Sequence, residues 1–424
     1  MRFDRIHYLV LGLLFTIFVL SKVGYFIEPA TGVHSVFTTE SEQEIETGSL
    51  LVQAIVVISA SIALLGKRYR QSLYLIKADV VVALYILFCL LSLFYSASPS
   101  ITLRRLIFAL VVLFIGYALA NAPKEPFEKL LRVLYFFLLA YTFIGVLGLI
   151  RSAVQGHSFF QTPFTVFDAS HRDGEIFSVA FLLHWHLMKK KARGVSSMLV
   201  IGILGVLILL TLSRTSILGL IIAFGYIALA SSTRKTSVAF QVVSLISVVS
   251  IIILILPSTA IQGILRPESV ETLMGRTILW DFMITAVSVN PLIGEGFGAF
   301  WSPDNIFDMQ QFQNWGITTA HNGFFDVYLN TGIIGLIFVC LLIIRFWMYA
   351  SKLPVAERVF VRSVLVFIIA QNLTQGSFQN PRNFLEVLFW WMYAGIGVHV
   401  ARLGAESNHS SESKLIVGVQ GAVQ

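Results

Sequence analysis

Runs of about 20 apolar residues, each long enough to carry one helix across a hydrocarbon core about 30 Å thick, recur along this chain. They fall near residues 6–27, 49–66, 78–95, 102–120, 131–150, 175–188, 196–213, 215–231, 238–256, 331–349, 359–373 and 384–400. Inside a bilayer only helices and closed barrels satisfy their own backbone groups, and segments of this length are helices. The expected fold class is therefore all-α, a polytopic membrane protein with about 12 transmembrane helices. Composition agrees: 56% of the 424 residues are hydrophobic and 12% charged, with a mean hydropathy of +0.81, which no soluble domain matches. Met1 to Ile27 starts basic, as a secretion signal does. Its apolar part is long and lacks a small-x-small cleavage site, so it counts as a span that stays.

Charge sets the orientation. With both termini in the cytoplasm, 21 of the 30 Lys and Arg residues fall on the cytoplasmic side, in clusters such as Lys67–Arg70 and Lys189–Arg193. Positively charged loops stay inside, so this orientation is the expected one. The basic residues are spread over short loops, which fits membrane topology rather than nucleic acid despite the net charge of +7. The chain then divides into nine spans within 1–256, a long outer loop at 257–330, three spans within 331–400 and a polar tail at 401–424 expected to be disordered. The first outer loop, Glu28 to Gly48, carries five glutamates and reads as a solvated hairpin. Cys89 and Cys340 lie inside apolar runs and read as small core residues.

The loop is the one long polar interruption, and loops of that length are usually functional. It holds Gly275-Arg276-Thr277, Trp280, the turn-forming run Asn290-Pro291-Leu292-Ile293-Gly294-Glu295-Gly296-Phe297-Gly298, and Ala320-His321-Asn322-Gly323. A helix over 275–289 is expected to lie on the membrane surface with Ile278, Phe282 and Ala286 on one face, ended by the glycine turn. The alternate glycines are no dinucleotide signature, because the strand-turn-helix setting is missing.

Nine basic residues fall on the outer side: Lys22, Arg104, Arg105, Arg151, Arg172, Arg214, Arg266, Arg276 and Arg382. Eight are arginine, whose planar fork grips phosphate in a bidentate way that lysine cannot. Capping a helix end or snorkelling to the interface is the plainer reading of any single one. Its recurrence in four outer segments favours an anion site. His321, at the junction of loop and span with Asp326 one turn on, is the strongest candidate for carrying a proton. The alternative is a histidine that only precedes a helix over 322–330. His184 and His186 are two residues apart on a helix, face different ways and make poor metal partners. No Walker loop, HExxH or nucleophile elbow is present, and no cofactor or metal is expected.

Together, the Ser213-Arg214-Thr215 turn, Gly275-Arg276-Thr277 with Trp280, the glycine turn and His321-Asn322-Gly323 leading into a span resemble the O-antigen ligase and Wzy-type polymerase superfamily, in its exopolysaccharide-polymerase branch, over roughly 90–395. That resemblance implies a GT-C-like glycosyltransferase of the bacterial inner membrane, with its active site on the periplasmic face. It would transfer a glycan from undecaprenyl diphosphate to an acceptor hydroxyl, with inversion and without metal. It implies His321, Arg276 and Arg214 as catalytic residues, Arg105, Arg104, Arg382 and Asn322 as substrate-binding residues, and a flippase and chain-length regulator as partners. His171-Arg172-Asp173-Gly174 stands where relatives often carry a Lys-Asn pair, and Gln375 where some carry an acid. Acceptor identity separates a polymerase from a ligase to lipid A-core, and nothing in the sequence reads the acceptor. A lipid-linked oligosaccharide transporter or flippase is the reading from another class, but such proteins show paired repeats and interrupted midplane helices.

Overall fold

The structure, a computed structural model, describes residues 79–120, 126–155, 164–166, 170–190, 194–231, 280, 283–285, 290–302, 305, 319–381 and 383–421. Nine α-helices run through them: α1 Val80–Leu91, α2 Pro99–Ala120, α3 Pro126–Val154, α4 Ser170–Lys190, α5 Val195–Leu210, α6 Arg214–Ser231, α7 Gly323–Ala350, α8 Val355–Asn372 and α9 Phe384–Gly421. Each coincides with one expected span. The spans expected at 6–27, 49–66 and 238–256 lie outside the described residues. Among the described residues five helices are long and apolar enough to cross a membrane: Pro99–Ala120, Leu130–Val154, Arg214–Ser231, Gly323–Ala350 and Phe384–Leu403. No strand occurs among the described residues. The helix α9 continues to Gly421, through the tail expected to be disordered. No proline interrupts that stretch to stop it.

The helices are apolar nearly all round, as lipid requires. Leu87, Leu103, Phe143, Leu199, Leu218 and Ile337 are exposed on the outer faces. A continuous core, including Leu106, Tyr117, Phe177, Leu207, Phe346, Phe367 and Tyr393, fills the interior. The helix α8 packs most extensively on α6, and α9 on α2. Small residues permit the closest approaches: Gly219 of α6 lies against Phe367 and Gln371 of α8, and Gly116 of α2 against Trp391 of α9. Such contacts stand in for the hydrophobic drive that lipid removes. His184 bonds to Tyr135 Oη at 2.6 Å and to the Ser197 carbonyl at 3.1 Å. His186 instead stacks on Phe360, so the two rings do face different ways.

One end of the bundle gathers the start of α1 and the end of α7. Asp79 caps α1 by accepting from Val82 N–H at 3.3 Å. Its carboxylate also takes the Arg345 guanidinium at 3.0 Å and the hydroxyls of Tyr349 and Tyr393 at 3.0 and 2.8 Å. The opposite end gathers the end of α1, the starts of α2, α4, α6, α7 and α9, and the end of α8. The candidate site lies there.

Candidate active site

The glycine turn is the keel of this end. Gly294, Gly296 and Gly298 have φ of 64°, 105° and 71°, values that side chains avoid. The turn lies along a break in α7, where Gly332 adopts φ 62° and ψ −165° between two helical halves. Each strand of backbone supplies what the other lacks. Glu295 and Gly296 N–H donate to the Leu329 and Asn330 carbonyls at 3.2 and 2.8 Å, while Ile333 and Ile334 N–H donate to the Pro291 and Leu292 carbonyls at 3.0 and 3.1 Å. Four amides freed or unformed by the break are thereby satisfied, which matters near a membrane where each orphan costs several kcal/mol. A Cβ on Gly332 would collide with the Leu292 backbone. The end of α1 holds the other side of the turn: Phe297 N–H donates to Ser92 Oγ at 3.1 Å, and Ala97 N–H to the Glu295 carbonyl at 2.9 Å.

Arg105 of α2 lies against this turn, with its side chain in the space a Cβ on Gly298 would need. Its neighbour Arg104 is exposed. Third in the row of alternate glycines, Gly298 thus makes room for one of the arginines marked out in the sequence.

His321 sits where the loop turns into α7. Asn322 caps that helix, accepting from Phe324 and Phe325 N–H at 3.0 and 3.1 Å, a bond type worth about 1 kcal/mol. His321 itself is forced to φ 51°, a left-handed backbone that costs a side-chain-bearing residue about 1–2 kcal/mol. Its ring Nδ1 lies 3.4 Å from Gln375 Oε1, and Gly323 N–H donates to the Gln375 carbonyl at 3.0 Å. The turn after α8 is fixed by Asn372, whose Oδ1 accepts from Ser377 N–H, Ser377 Oγ and Phe378 N–H. The helix expected over 322–330 is therefore present, capped by Asn322 and directly preceded by His321, whose ring reaches across to the turn after α8.

The same α8 end reaches Arg214. Gln371 Nε2 donates to the Thr215 carbonyl at 2.8 Å, and Gln375 N–H donates to the Gln371 carbonyl at 2.7 Å. One helical turn, 371–375, thus touches both the Ser213-Arg214-Thr215 segment and His321. Arg214 is exposed at the first position of α6, after Leu212 in another left-handed conformation, φ 50°. The His171–Gly174 segment joins this group. Ser216 Oγ donates to the His171 carbonyl at 3.2 Å, and Gly174 packs on Ser213 and Ser216. Buried Asp173 accepts from Tyr141 Oη and from Val166 N–H. Arg172 is exposed beside them.

The structure thus brings Arg214, His321, Asn322 and Arg105 to one end of the bundle, with Arg104 exposed next to Arg105. Arg276 and Arg382 lie outside the described residues. Of the loop helix, Trp280 and Met283–Thr285 are helical; Ile278, Phe282 and Ala286 lie outside. Met283 is fully buried with Phe300, Trp301, Ala320 and Leu329, so the described face packs into a core of the loop's own. Ser92, Tyr95, Gln371 and Asn372 were not singled out by sequence. The available signal was polarity: Ser92 and Tyr95 begin a serine-rich stretch closing one apolar run, and Gln371-Asn372 closes another. Among the described residues no group of three or more His, Cys, Asp and Glu is placed to hold a metal ion.

The fold and this polar end define a helical membrane protein with a cationic, histidine-bearing face. Residues 199–340, which contain the Arg214 turn, Arg276, the glycine turn and His321, match the model of the O-antigen ligase family, Wzy_C. The chain is also 28% identical over 122 residues to the exopolysaccharide production protein ExoQ of Rhizobium meliloti (strain 1021), a match covering 28% of this chain and 27% of that protein. The matched part thus spans just over a quarter of that relative's length. Both findings support the O-antigen ligase and Wzy-like superfamily resemblance that the motifs carry.

Proposed function

We propose that the protein polymerises exopolysaccharide or O-antigen repeat units, transferring a glycan from an undecaprenyl-diphosphate-linked oligosaccharide to an acceptor hydroxyl. The observation that carries this reading is the 371–375 turn at the end of α8, which contacts both the Arg214 segment and His321. An anion-binding group and a proton-carrying group would thereby meet at one end of the bundle, and the distribution of Lys and Arg supports that end as the outer, periplasmic one. The architecture would be GT-C-like.

The chemistry follows from the residue types. With Nδ1–H donating to Gln375 Oε1, the basic nitrogen of His321 is Nε2. It takes the proton of the acceptor hydroxyl as that oxygen attacks the anomeric carbon from the face opposite the diphosphate. The bond from the anomeric carbon to the diphosphate oxygen breaks, and undecaprenyl diphosphate leaves. Arg214 and Arg276 hold the charge that develops on the leaving group, each worth about 3 kcal/mol by analogy with other charge-stabilising donors. A single attack from the opposite face inverts the anomeric centre, and guanidinium groups would supply the positive charge that a metal ion supplies elsewhere.

The family description favours one second reading, a ligase that passes the finished glycan to lipid A-core. A deletion strain complemented with wild type or His321→Ala distinguishes the readings by its glycan profile and lipid-linked intermediates. Single repeats left on the lipid carrier with no polymer support the polymerase. Polymer that persists on the carrier but never reaches lipid A makes the protein a ligase. Repeats accumulating on the cytoplasmic leaflet make it a flippase and sink the enzymatic reading.

A further inference from the structure

Asp326 lies in the first turn of α7 and is buried. Its Oδ1 accepts from Ala320 N–H at 2.9 Å and from the Trp301 indole N–H at 2.9 Å. The Ala320 carbonyl, on the other side of the same residue, accepts from the Trp280 indole N–H at 2.9 Å. Ala320 is thus gripped at both of its backbone polar groups, immediately before His321. The second carboxylate oxygen, Oδ2, occupies the space that a Cβ on Gly376 would need, next to Gln375, the residue that meets the His321 ring. One side chain therefore touches the backbone on both sides of the His321–Gln375 pair. Arg105 is near enough for its charge to act on this carboxyl.

The arrangement has a job that needs doing. His321 is held at φ 51°, and a residue in that region stays there only where its surroundings overdetermine it. Thr319 Oγ1 accepts from His321 N–H at 3.3 Å, a local bond that cannot fix the loop in space. Asp326 and Trp280 anchor it to α7 and to the loop helix. We infer that Asp326, with Trp280, is a positioning residue: it clamps Ala320 and the Gln375 turn so that the His321 ring is held in one orientation for proton transfer. This inference rests on His321 carrying the proton, and it extends the site to Asp326 and Trp280, which act on His321 through the backbone of Ala320.

The test uses the full-length protein in membranes and two readouts. The first is the acylation rate of the His321 ring by diethyl pyrocarbonate, followed by mass spectrometry and independent of catalysis. The second is polymer formed per unit of membrane protein in the deletion strain. Asp326→Ala is expected to speed His321 acylation by at least about threefold, because the loop opens locally, and to cut polymer formation by about 100-fold, the scale of a 1 Å misplacement. Asp326→Asn, whose amide oxygen accepts the same two N–H groups, restores most of both. Should Asp326→Ala fail to accumulate, Trp280→Phe removes one bond only and moves both readouts in the same direction by less. Unchanged acylation of His321 in the folded variant overturns the clamp, whatever happens to activity. Faster acylation with full polymer formation upholds the clamp and overturns His321 as the proton carrier.

Discussion

The two ends of the bundle hold charge in opposite ways. At the Asp79 end a carboxylate only 6% exposed gathers Arg345, Tyr349, Tyr393 and the first turn of α1. Three helices are tied by one anion, and Arg345 also lies over the Tyr349 ring at 4.9 Å. At the other end the buried carboxylates of Asp173 and Asp326 take hydroxyl, indole and backbone donors, while Arg214 and Arg104 are exposed. Strain is distributed in the same way. Among the described residues three non-glycine positions have positive φ, Leu212, His321 and Gln379, and all three lie at the second end. Each costs about 1–3 kcal/mol. A structure built only for stability would show such costs at either end. Their confinement to the end with the arginines and His321 accords with the proposed reading of it as the working face, with the Asp79 end as the fastening.

The sharpest way to break that contrast is to remove a cation from the working face. Arg214→Ala should reduce polymer formation by at least about 100-fold with membrane levels unchanged, because Arg214 is exposed. Arg276→Ala should do the same. Arg214→Lys should restore little, since an ammonium cannot make the two parallel bonds of a guanidinium to a phosphate group. Polymer per unit of membrane protein is the measurement. Half of wild-type activity in Arg214→Lys would remove bidentate phosphate contact from the mechanism.

How much of this was legible in the sequence depends on the range over which each feature is encoded. The nine described helices were, because twenty consecutive apolar residues are a local signal. The turn at 294–298 was also legible, since alternate glycines after Asn290-Pro291 demand an unusual backbone. Gly332 gave no comparable signal: a lone glycine in an apolar run reads as helix, and only the partner turn shows why the helix breaks there. Arg214, Arg105 and His321 were picked out by residue type and expected on one side, and they do lie at one end of the bundle. Their joining through Gln371 and Gln375 was not legible, because Gln371 lies 156 residues from Thr215 and Gln375 lies 54 from His321. Asp79 was missed altogether: Arg345 and Tyr393, its partners, are 266 and 314 residues away. Asp326 was seen as a neighbour of His321, but its two donors come from the loop, where spacing carries no periodic rule.

Breaking the fastening should have the next largest effect and a different character. Asp79→Ala strands Arg345 and two tyrosine hydroxyls and removes the cap of α1. Losing one partner of a buried pair costs about 3–5 kcal/mol, and the one-third exposure of Arg345 puts this site at the lower end. Thermal stability in detergent and steady-state membrane level should both fall, while polymer per folded molecule stays near wild type. If activity per folded molecule instead falls as far as in Arg214→Ala, the two ends are not separable and the contrast fails.

The smallest effect is expected at Glu295, the one acidic residue inside the glycine turn. Burial pushes its carboxyl above the ordinary range, so the folded state holds the proton more tightly than the unfolded chain does. Stability from that proton is complete below the ordinary glutamate range and is lost as pH rises through the raised folded value. Glu295→Gln, neutral throughout, removes the slope. Its thermal midpoint should match wild type in acid and exceed it slightly at neutral pH, slightly because the side chain is half-buried and water screens it. Identical pH slopes in the two proteins would mean that the Glu295 carboxylate is solvated in the folded state. The glycine turn would then be more open to water than its bonds to α1 and α7 imply, and the working face would begin one residue deeper, at Gly296.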